Sequence, residues 1–322
     1  MANRINRQTL ISMLRHMRPA YSVAEEAFCN EYLYPMFGPP DEHGNYICAV
    51  GEAPNIMFTA HTDTVHKIGG LQDVVITNDF ATTSASNCLG ADCTTGLWLM
   101  LGMIEAGIDG VYVAHAAEEI GGVGSSALVA DSPSWLSDID ICISFDRYGT
   151  DSIVTHQSCT RTASDEFANS LSAVLGMRSM KPDNTGLYTD SYEYAEVVAE
   201  CTNISVGYTN HHTSSEKQDL HFAQMLLERL CKADWSLLEV VRDPTLPENQ
   251  LGALGYLSGS LRGYTRYGMD EQSEDDILAL KRLMVDRPVA MANLLLEYGL
   301  TAEACLDELG VDDNTTYRDY YY

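Results

Sequence analysis

His61-Thr62-Asp63, Asp92, Glu118-Glu119, Asp146 and the pair His211-His212 follow one another along the chain, and each group comes just after a short apolar run. Imidazole nitrogens and carboxylate oxygens are the donors that hold zinc, and also manganese or cobalt. Several such donors collected in one place can hold two divalent ions. Ions of that kind acidify a bound water, so that a nucleophile exists at neutral pH. A carboxylate not spent on the metals can then take the water's proton. The chemistry on offer is metal-assisted hydrolysis. An H-x-D tripeptide alone says little, and the weight rests on the ordered series that follows it.

These residues need strands to carry them. Tyr46–Val50, Asn55–Ala60, Val74–Ile76, Val111–Ala116, Ile139–Phe145 and Ile204–Val206 read as strands, and the apolar runs among them suit strands buried on both faces of a sheet. Helical spacing predicts two helices over 7–37 and further helices over 94–106, 191–200 and 218–235. Strands alternating with helices predict a three-layer α/β/α sandwich with a mixed, mainly parallel sheet. Every candidate ligand falls at or just past the carboxyl end of a strand, where open α/β sheets place their sites. Pro244 and Pro247 mark a change in composition, so residues 1–242 are expected to form the catalytic domain. Residues 243–322, with helical patterns at 275–285, 289–298 and 302–309, are expected to form an acidic, mainly helical C-terminal appendage.

The bulk composition sets wider bounds. A formal net charge of -27 over 322 residues argues against nucleic acid and anionic membrane surfaces as partners. No run approaches the roughly 18–20 apolar residues needed to span a bilayer, and the N-terminus lacks the apolar stretch of a secretory signal. Nine cysteines without a CxxC pair read as reduced thiols in a cytoplasmic protein.

Other motifs fall away. There is no H-E-x-x-H helix, and Ser125-Ser126 has no nucleophile-elbow context. Gly121-Gly122-Val123-Gly124 reads as a tight strand-to-helix turn rather than a phosphate cradle. His115, inside a strand, reads as a satisfied core histidine; His156 and His221 have no motif around them.

Over residues 55–220 the motifs and their order resemble the co-catalytic zinc peptidases, the group of the M28, M42 and M20 metallopeptidases. The resemblance implies that His61, Asp92 and Asp146 hold one metal ion and that Asp92 bridges to a second, held by Glu119 and His212. It implies Glu118 as general base and Asp63 as support for His61. His212 is preferred to His211 because the ligand histidine of the group precedes an acidic residue by four positions, and Glu216 fits. Two divalent ions carry four positive charges; Asp92, Glu119, Asp146 and a hydroxide between the metals balance them, so the cluster can be partly buried.

The implied cofactors are two divalent metal ions, zinc first, with manganese or cobalt as substitutes. The implied fold is the zinc-peptidase, phosphorylase/hydrolase-like sandwich, and the implied substrate is a peptide or other small amide. Self-association into a homo-oligomer stays open.

The chain departs from the pattern at Cys93, where the group usually carries Asp or Asn after the bridging aspartate. A packed thiol is the leading reading there, ahead of an extra soft ligand. A cis peptide between Asp92 and Cys93 is expected from the resemblance. His66 stands where the M20 pattern has proline and is expected at the rim. The 65 residues between Asp146 and His212 leave no room for an M20-type inserted domain. The interval from His61 to Asp92 is too short for an M42-type one, so an M28-like single catalytic domain fits best.

Acidic surroundings favour a substrate with a free amine, hence an aminopeptidase. Arg147 or Arg161 could instead receive a substrate carboxylate, which keeps a carboxypeptidase or N-acyl amino acid deacylase as the alternative. A non-catalytic binding protein on the same fold ranks last, because the chain keeps the whole ligand series and the base.

Overall fold

Apolar runs with no polar face to give to water must be covered on both sides, and here they form the middle of a sheet. The computed structural model describes residues 5–84 and 86–245. Seven strands make the main sheet: β1 (Tyr46–Val50), β2 (Ile56–His61), β3 (Gly110–His115), β4 (Ile141–Arg147), β5 (Ser152–Val154), β6 (Lys181–Asp183) and β7 (Glu200–Ser205). Their spatial order is β6-β5-β7-β4-β2-β3-β1. β2 is parallel to β3 and β4, β4 to β7, and β5 to β6, while β1 against β3 and β5 against β7 are antiparallel. The sheet is mixed and mainly parallel.

The helices are α1 (Arg7–Met13), α2 (Val23–Phe28), α3 (Ala91–Glu105), α4 (Val123–Asp131), α5 (Asp165–Val174) and α6 (Leu220–Leu230). A π-helical turn, Cys29–Leu33, and one α turn, Tyr34–Phe37, prolong α2. Strand alternation sorts the side chains onto two faces. Ile56, Phe58 and Ala60 of β2 join Ile141, Ile143 and Phe145 of β4 in one core, which also takes side chains from α1, α2, α3, α5 and α6. Met57, Val111, Val113 and Cys142 face the other core, with Leu128 of α4 and Tyr194, Ala195 and Val198 beneath the sheet. Those two cores are the filling of an α/β/α sandwich.

Residues 191–200, expected as a helix, fold otherwise. A 3-10 turn, Asp190–Tyr192, leads into further tight turns, and β7 already begins at Glu200. Tyr192, Glu193, Ala195 and Val197 each bond back three residues, and only Val198 makes a four-residue bond, to Tyr194. Burying Tyr194 and Val198 under the sheet is compatible with this tighter path, so apolar spacing alone misread it. Helix α5, by contrast, went unanticipated, although Ser164 caps it by accepting from the Phe167 amide at 3.0 Å.

A second, four-stranded antiparallel sheet matters for the site. Val74–Thr77 pairs with Phe80–Thr83, which pairs with Lys217–Asp219, which pairs with Tyr208–Thr209. The interval between His61 and Asp92 therefore supplies a hairpin, and that hairpin supports the loop between Tyr208–Thr209 and Lys217–Asp219, which carries His212. Among the described residues no helix is long and apolar enough to cross a membrane, and every described cysteine is a free thiol. The helical patterns expected beyond residue 245 lie outside the described residues.

Helix α3 is buried from Ala91 to Met103. A helix apolar all round belongs in a core, and this one lies against β2 and β4 with α1 and α6 on its other side. Gly96 permits the approach: a Cβ there would stand 2.2 Å from the Phe145 carbonyl oxygen and 2.9 Å from the Ala60 Cβ. Backbone cannot rotate away as a side chain can. Gly96→Ala is expected to cost about 1–3 kcal/mol through overpacking, read as a lower denaturant midpoint with an unchanged m-value.

Candidate metal centre

The end of β2 supplies His61, and the turn beyond it supplies Asp63. His61 Nδ1 lies 3.3 Å from Asp63 Oδ1. The Asp63 carboxylate also accepts the Glu118 amide at 3.0 Å and the Glu119 amide at 3.1 Å. One buried carboxylate thus orients the histidine and fastens the loop after β3, where Ala117 turns the chain through the left-handed region at φ 59°. Asp146 sits near the end of β4, beside an irregularity in the β4–β7 ladder between Asn203 and Ser205. Such irregularities re-aim side chains next to sites. Here the Asp146 amide donates to Asn203 Oδ1 at 3.0 Å, Thr189 donates to Asp146 Oδ2 at 2.8 Å, and the Tyr208 hydroxyl donates to the Asp146 carbonyl at 2.8 Å.

Asp92 is the second residue of α3. The helix starts from Gly90 in the left-handed region, which has no side chain to cap it. Glu216 does this from across the fold: its carboxylate accepts the amides of Leu89, Gly90 and Ala91 at 2.8, 3.1 and 3.0 Å. The acidic residue four places after His212 therefore ties the His212 loop to the helix that carries Asp92. Because Asp92 and Cys93 both belong to the helical run, their peptide is trans, which corrects the expected cis bond.

The sequence-predicted ligands come together. His61 Nε2 lies 3.4 Å from Asp146 Oδ1; His212 Nε2 lies 3.0 Å from Asp92 Oδ2 and 3.2 Å from Glu119 Oε1. Ligand atoms of His61, Glu118 and Glu119 lie within 4.8 Å of one another, as do those of His61, Asp92 and Cys93. Two donors about 2.0–2.1 Å from a tetrahedral zinc are roughly 3.3 Å apart, so the spacing and the donor types fit divalent ions. His212 reaches the carboxylates from a left-handed conformation at φ 59°, a strained choice for a residue with a Cβ. His211 stacks on Tyr148 instead, with ring centroids 5.6 Å apart and planes 1° from parallel.

Charge dominates the site. Burial alone would raise Asp92 and strip the protons from both histidines. The His212 hydrogen bond and the charges of His61 and His212 reverse this for Asp92, whose carboxyl is held well below its usual range. Against the same burial, Asp92 and Glu119 raise His212 to about 11. His61 is likewise raised well above its ordinary value by Cys93, Asp146 and Asp63. Glu118 is pushed well up, by burial first and then by the neighbouring carboxylates of Asp146 and Glu119, and Glu119 is raised by burial.

Three further expectations meet the structure here. Arg147 is spent on Asp183 at 2.9 Å and on Thr185, and Arg161 on Asp165 at 3.0 Å. His66 is buried, not at the rim, because Thr64 Oγ1 at 2.7 Å and the Cys88 carbonyl at 3.0 Å occupy its two nitrogens. Cys93 is a packed thiol donating to the Asp63 carbonyl at 2.9 Å. Residues such as Asn203, Thr189 and Tyr208 carried no local signal, since what they do depends on Asp146 lying beside them.

His115 is the satisfied core histidine expected of it. Nδ1 lies 3.3 Å from Asn45 Oδ1, and Nε2 lies 3.3 Å from the Tyr194 hydroxyl. Burial, helped by the charge of His61, lowers it to about 3. Below its unfolded value of about 6.5 the unfolded chain takes up a proton that the folded one refuses, so stability falls as pH falls, by up to about 1.4 kcal/mol per pH unit. His115→Gln is expected to remove that contribution, shrinking the loss of unfolding free energy between pH 6.5 and 5 by roughly 2 kcal/mol in denaturant titrations.

No family profile and no curated protein matches the sequence. Solved structures do match in fold. Aminopeptidase PepT from Bacillus cereus superposes with a TM-score of 0.58 at 15% identity, over 71% of this chain and 98% of that chain. A tripeptidase from Staphylococcus aureus gives 0.58 at 14%, over 71% and 97%. The TET1 peptidase of Pyrococcus horikoshii, which can assemble into a tetrahedron or a large octahedral shell, gives 0.53 at 14%, over 71% and 100%. The chain shares its fold with these peptidases, and they do not single out an M28-like branch.

Proposed function

We propose that this chain is a dinuclear metal-dependent hydrolase of peptide bonds, acting as an aminopeptidase on a peptide or other small amide. The observation that carries the reading is one carboxylate, Asp92, placed between two half-sites. His212 Nε2 lies 3.0 Å from Asp92 Oδ2 and 3.2 Å from Glu119 Oε1; ligand atoms of His61 and Asp92 lie within 4.8 Å of each other, and His61 Nε2 is 3.4 Å from Asp146 Oδ1. His61, Asp92 and Asp146 would hold one divalent ion; Asp92, Glu119 and His212 would hold the second. Zinc suits this donor set, with manganese or cobalt as substitutes. When bound, the ions supply an acidified water and a Lewis acid for the scissile carbonyl.

The chain's own residues do the rest. Glu118, close to His61 and Glu119 but not needed to complete either ligand set, takes the proton from the attacking water on a carboxylate oxygen and delivers it to the leaving amine. Asp63 holds His61 in the tautomer that leaves Nε2 facing the site. The amine end of the substrate is favoured because the surroundings are acidic and both candidate cations, Arg147 and Arg161, are paired with carboxylates. Free thiols among the described cysteines fit the reducing cytoplasm in which we place the protein.

The test uses one short peptide in free, N-acetylated and C-amidated forms, with zinc, cobalt or manganese and with a chelator. Cleavage is expected to need metal and to be blocked by N-acetylation alone. A block by amidation alone, or release of acetate, would transfer the assignment to a carboxypeptidase or deacylase. Glu118→Gln is expected to lower kcat by about 10²–10⁴ while zinc analysis still finds two bound equivalents; full activity in that variant would remove Glu118 as the base.

A further inference from the structure

Arg18, between α1 and α2, is fully buried, yet among the described residues no carboxylate forms an ion pair with it. Among the described residues its Nη1 is buried without a hydrogen-bond partner, and its other nitrogens bond neutral groups. Nε donates to the Thr62 carbonyl at 2.8 Å; Nη2 donates to Thr94 Oγ1 at 2.9 Å and lies 3.1 Å from Cys93 Sγ. Its backbone amide donates to Thr64 Oγ1 at 2.9 Å, and its carbonyl accepts the Thr64 amide at 2.8 Å. The guanidinium carbon Cζ lies over the Phe28 ring, 3.9 Å from the centroid.

Thr62 follows His61, and Cys93 and Thr94 follow Asp92. A single planar group therefore joins the turn that carries one histidine to the helix that carries the shared aspartate. These are two segments that meet only in the folded state. We propose that Arg18 is a positioning residue of the metal centre: a buried fork that fixes His61 relative to Asp92, with Cys93 and Thr94 as its acceptors on the helix side. This rests on the dinuclear reading above. It also gives Cys93 a reason to depart from a carboxylate, since the neutral thiol accepts from Nη2 and donates to the Asp63 carbonyl, linking the same two segments a second time. An ammonium cannot replace the fork, because a single point of charge on a flexible stem has no fixed geometry with which to hold both the Thr62 carbonyl and Thr94 Oγ1.

Ligands shared between the two half-sites make the effect asymmetric. Both residues that Arg18 positions, His61 and Asp92, serve the ion held with Asp146, whereas only Asp92 serves the ion held with His212. The experiment is zinc binding to the metal-free full chain by competition with a chelator. The wild type is compared with Arg18→Lys, Thr94→Val and Cys93→Ala, each also melted without metal.

The wild type is expected to bind two equivalents. Arg18→Lys is expected to weaken one of them by about 10–100-fold, as loss of an outer partner of a ligand does. Thr94→Val and Cys93→Ala are expected to weaken the same equivalent by less and to spare the other, a selectivity that a general loss of stability, read from the metal-free melts, would not produce. If Arg18→Lys does not fold, the two helix-side variants decide. Folded variants that bind both equivalents with wild-type affinity would overturn the positioning role and leave the dinuclear reading standing. A wild type that binds no zinc would overturn both.

Discussion

Carboxylates that nature ordinarily leaves in water are crowded at one end of this sheet. Asp63, Asp92, Glu118, Glu119 and Asp146 converge there, and Asp63 and Asp92 are almost completely buried. Each ion taken from water costs several kcal/mol, and like charges at close range add to that cost. The arrangement is tenable only with positive charge set among them. His61 and His212 occupy those places, each in contact with carboxylates, and divalent ions would fill the same role more completely. Most of what is unusual in the structure answers to this need.

The scaffold meets it by making side chains serve two segments at once. Asp63 turns one carboxylate toward His61 and toward two amides of the loop after β3. Glu216 caps a helix that begins more than a hundred residues earlier, and so locks the His212 loop to Asp92. Arg18 spans the turn after β2 and the start of α3. Residues that would each be an unpaired buried charge become the cross-links that hold the donors at fixed separations. Preorganisation of this kind matters because donors even an ångström out of place bind metal poorly and align substrate poorly.

Chain direction contributes as much as chemistry. β2 and β4 are parallel neighbours, and β3 is parallel to β2 on its other side, so residues that follow each strand emerge at the same edge. Period-two alternation then decides which face each side chain meets: His61 and Asp146 share the face of Met57 and Cys142. Helix α3 arrives from the opposite layer, and the missing Cβ of Gly96 lets it lie close enough for Asp92 to reach across. The second sheet holds the His212 loop over the same edge.

The sequence by itself determined the order of the donors, the α/β character of the fold and the strand ends at which His61, Glu118, Glu119 and Asp146 stand; Asp92, expected at a strand end, lies in the first turn of a helix. Those features are local: apolar runs long enough to need burial, and polar residues placed where a strand must stop. What Glu216, four places after His212, does for the fold, capping a distant helix with its carboxylate, is visible only in three dimensions. What the tertiary structure alone decided is everything set by a partner far away in the chain. Arg18 carried no motif, because its acceptors lie 44 to 76 residues away. His66 reads as a rim residue from its neighbours in sequence, because the Cys88 carbonyl it bonds in the interior lies 22 residues away. Residues 191–200 have helical spacing, but the space beneath the sheet accepts tighter turns that bury the same side chains. The Asp92–Cys93 peptide is trans because it lies within a helix whose start is held by Glu216 and whose body is buried between the sheet and two other helices. Local pattern can say that a donor exists, but only packing can say what it faces.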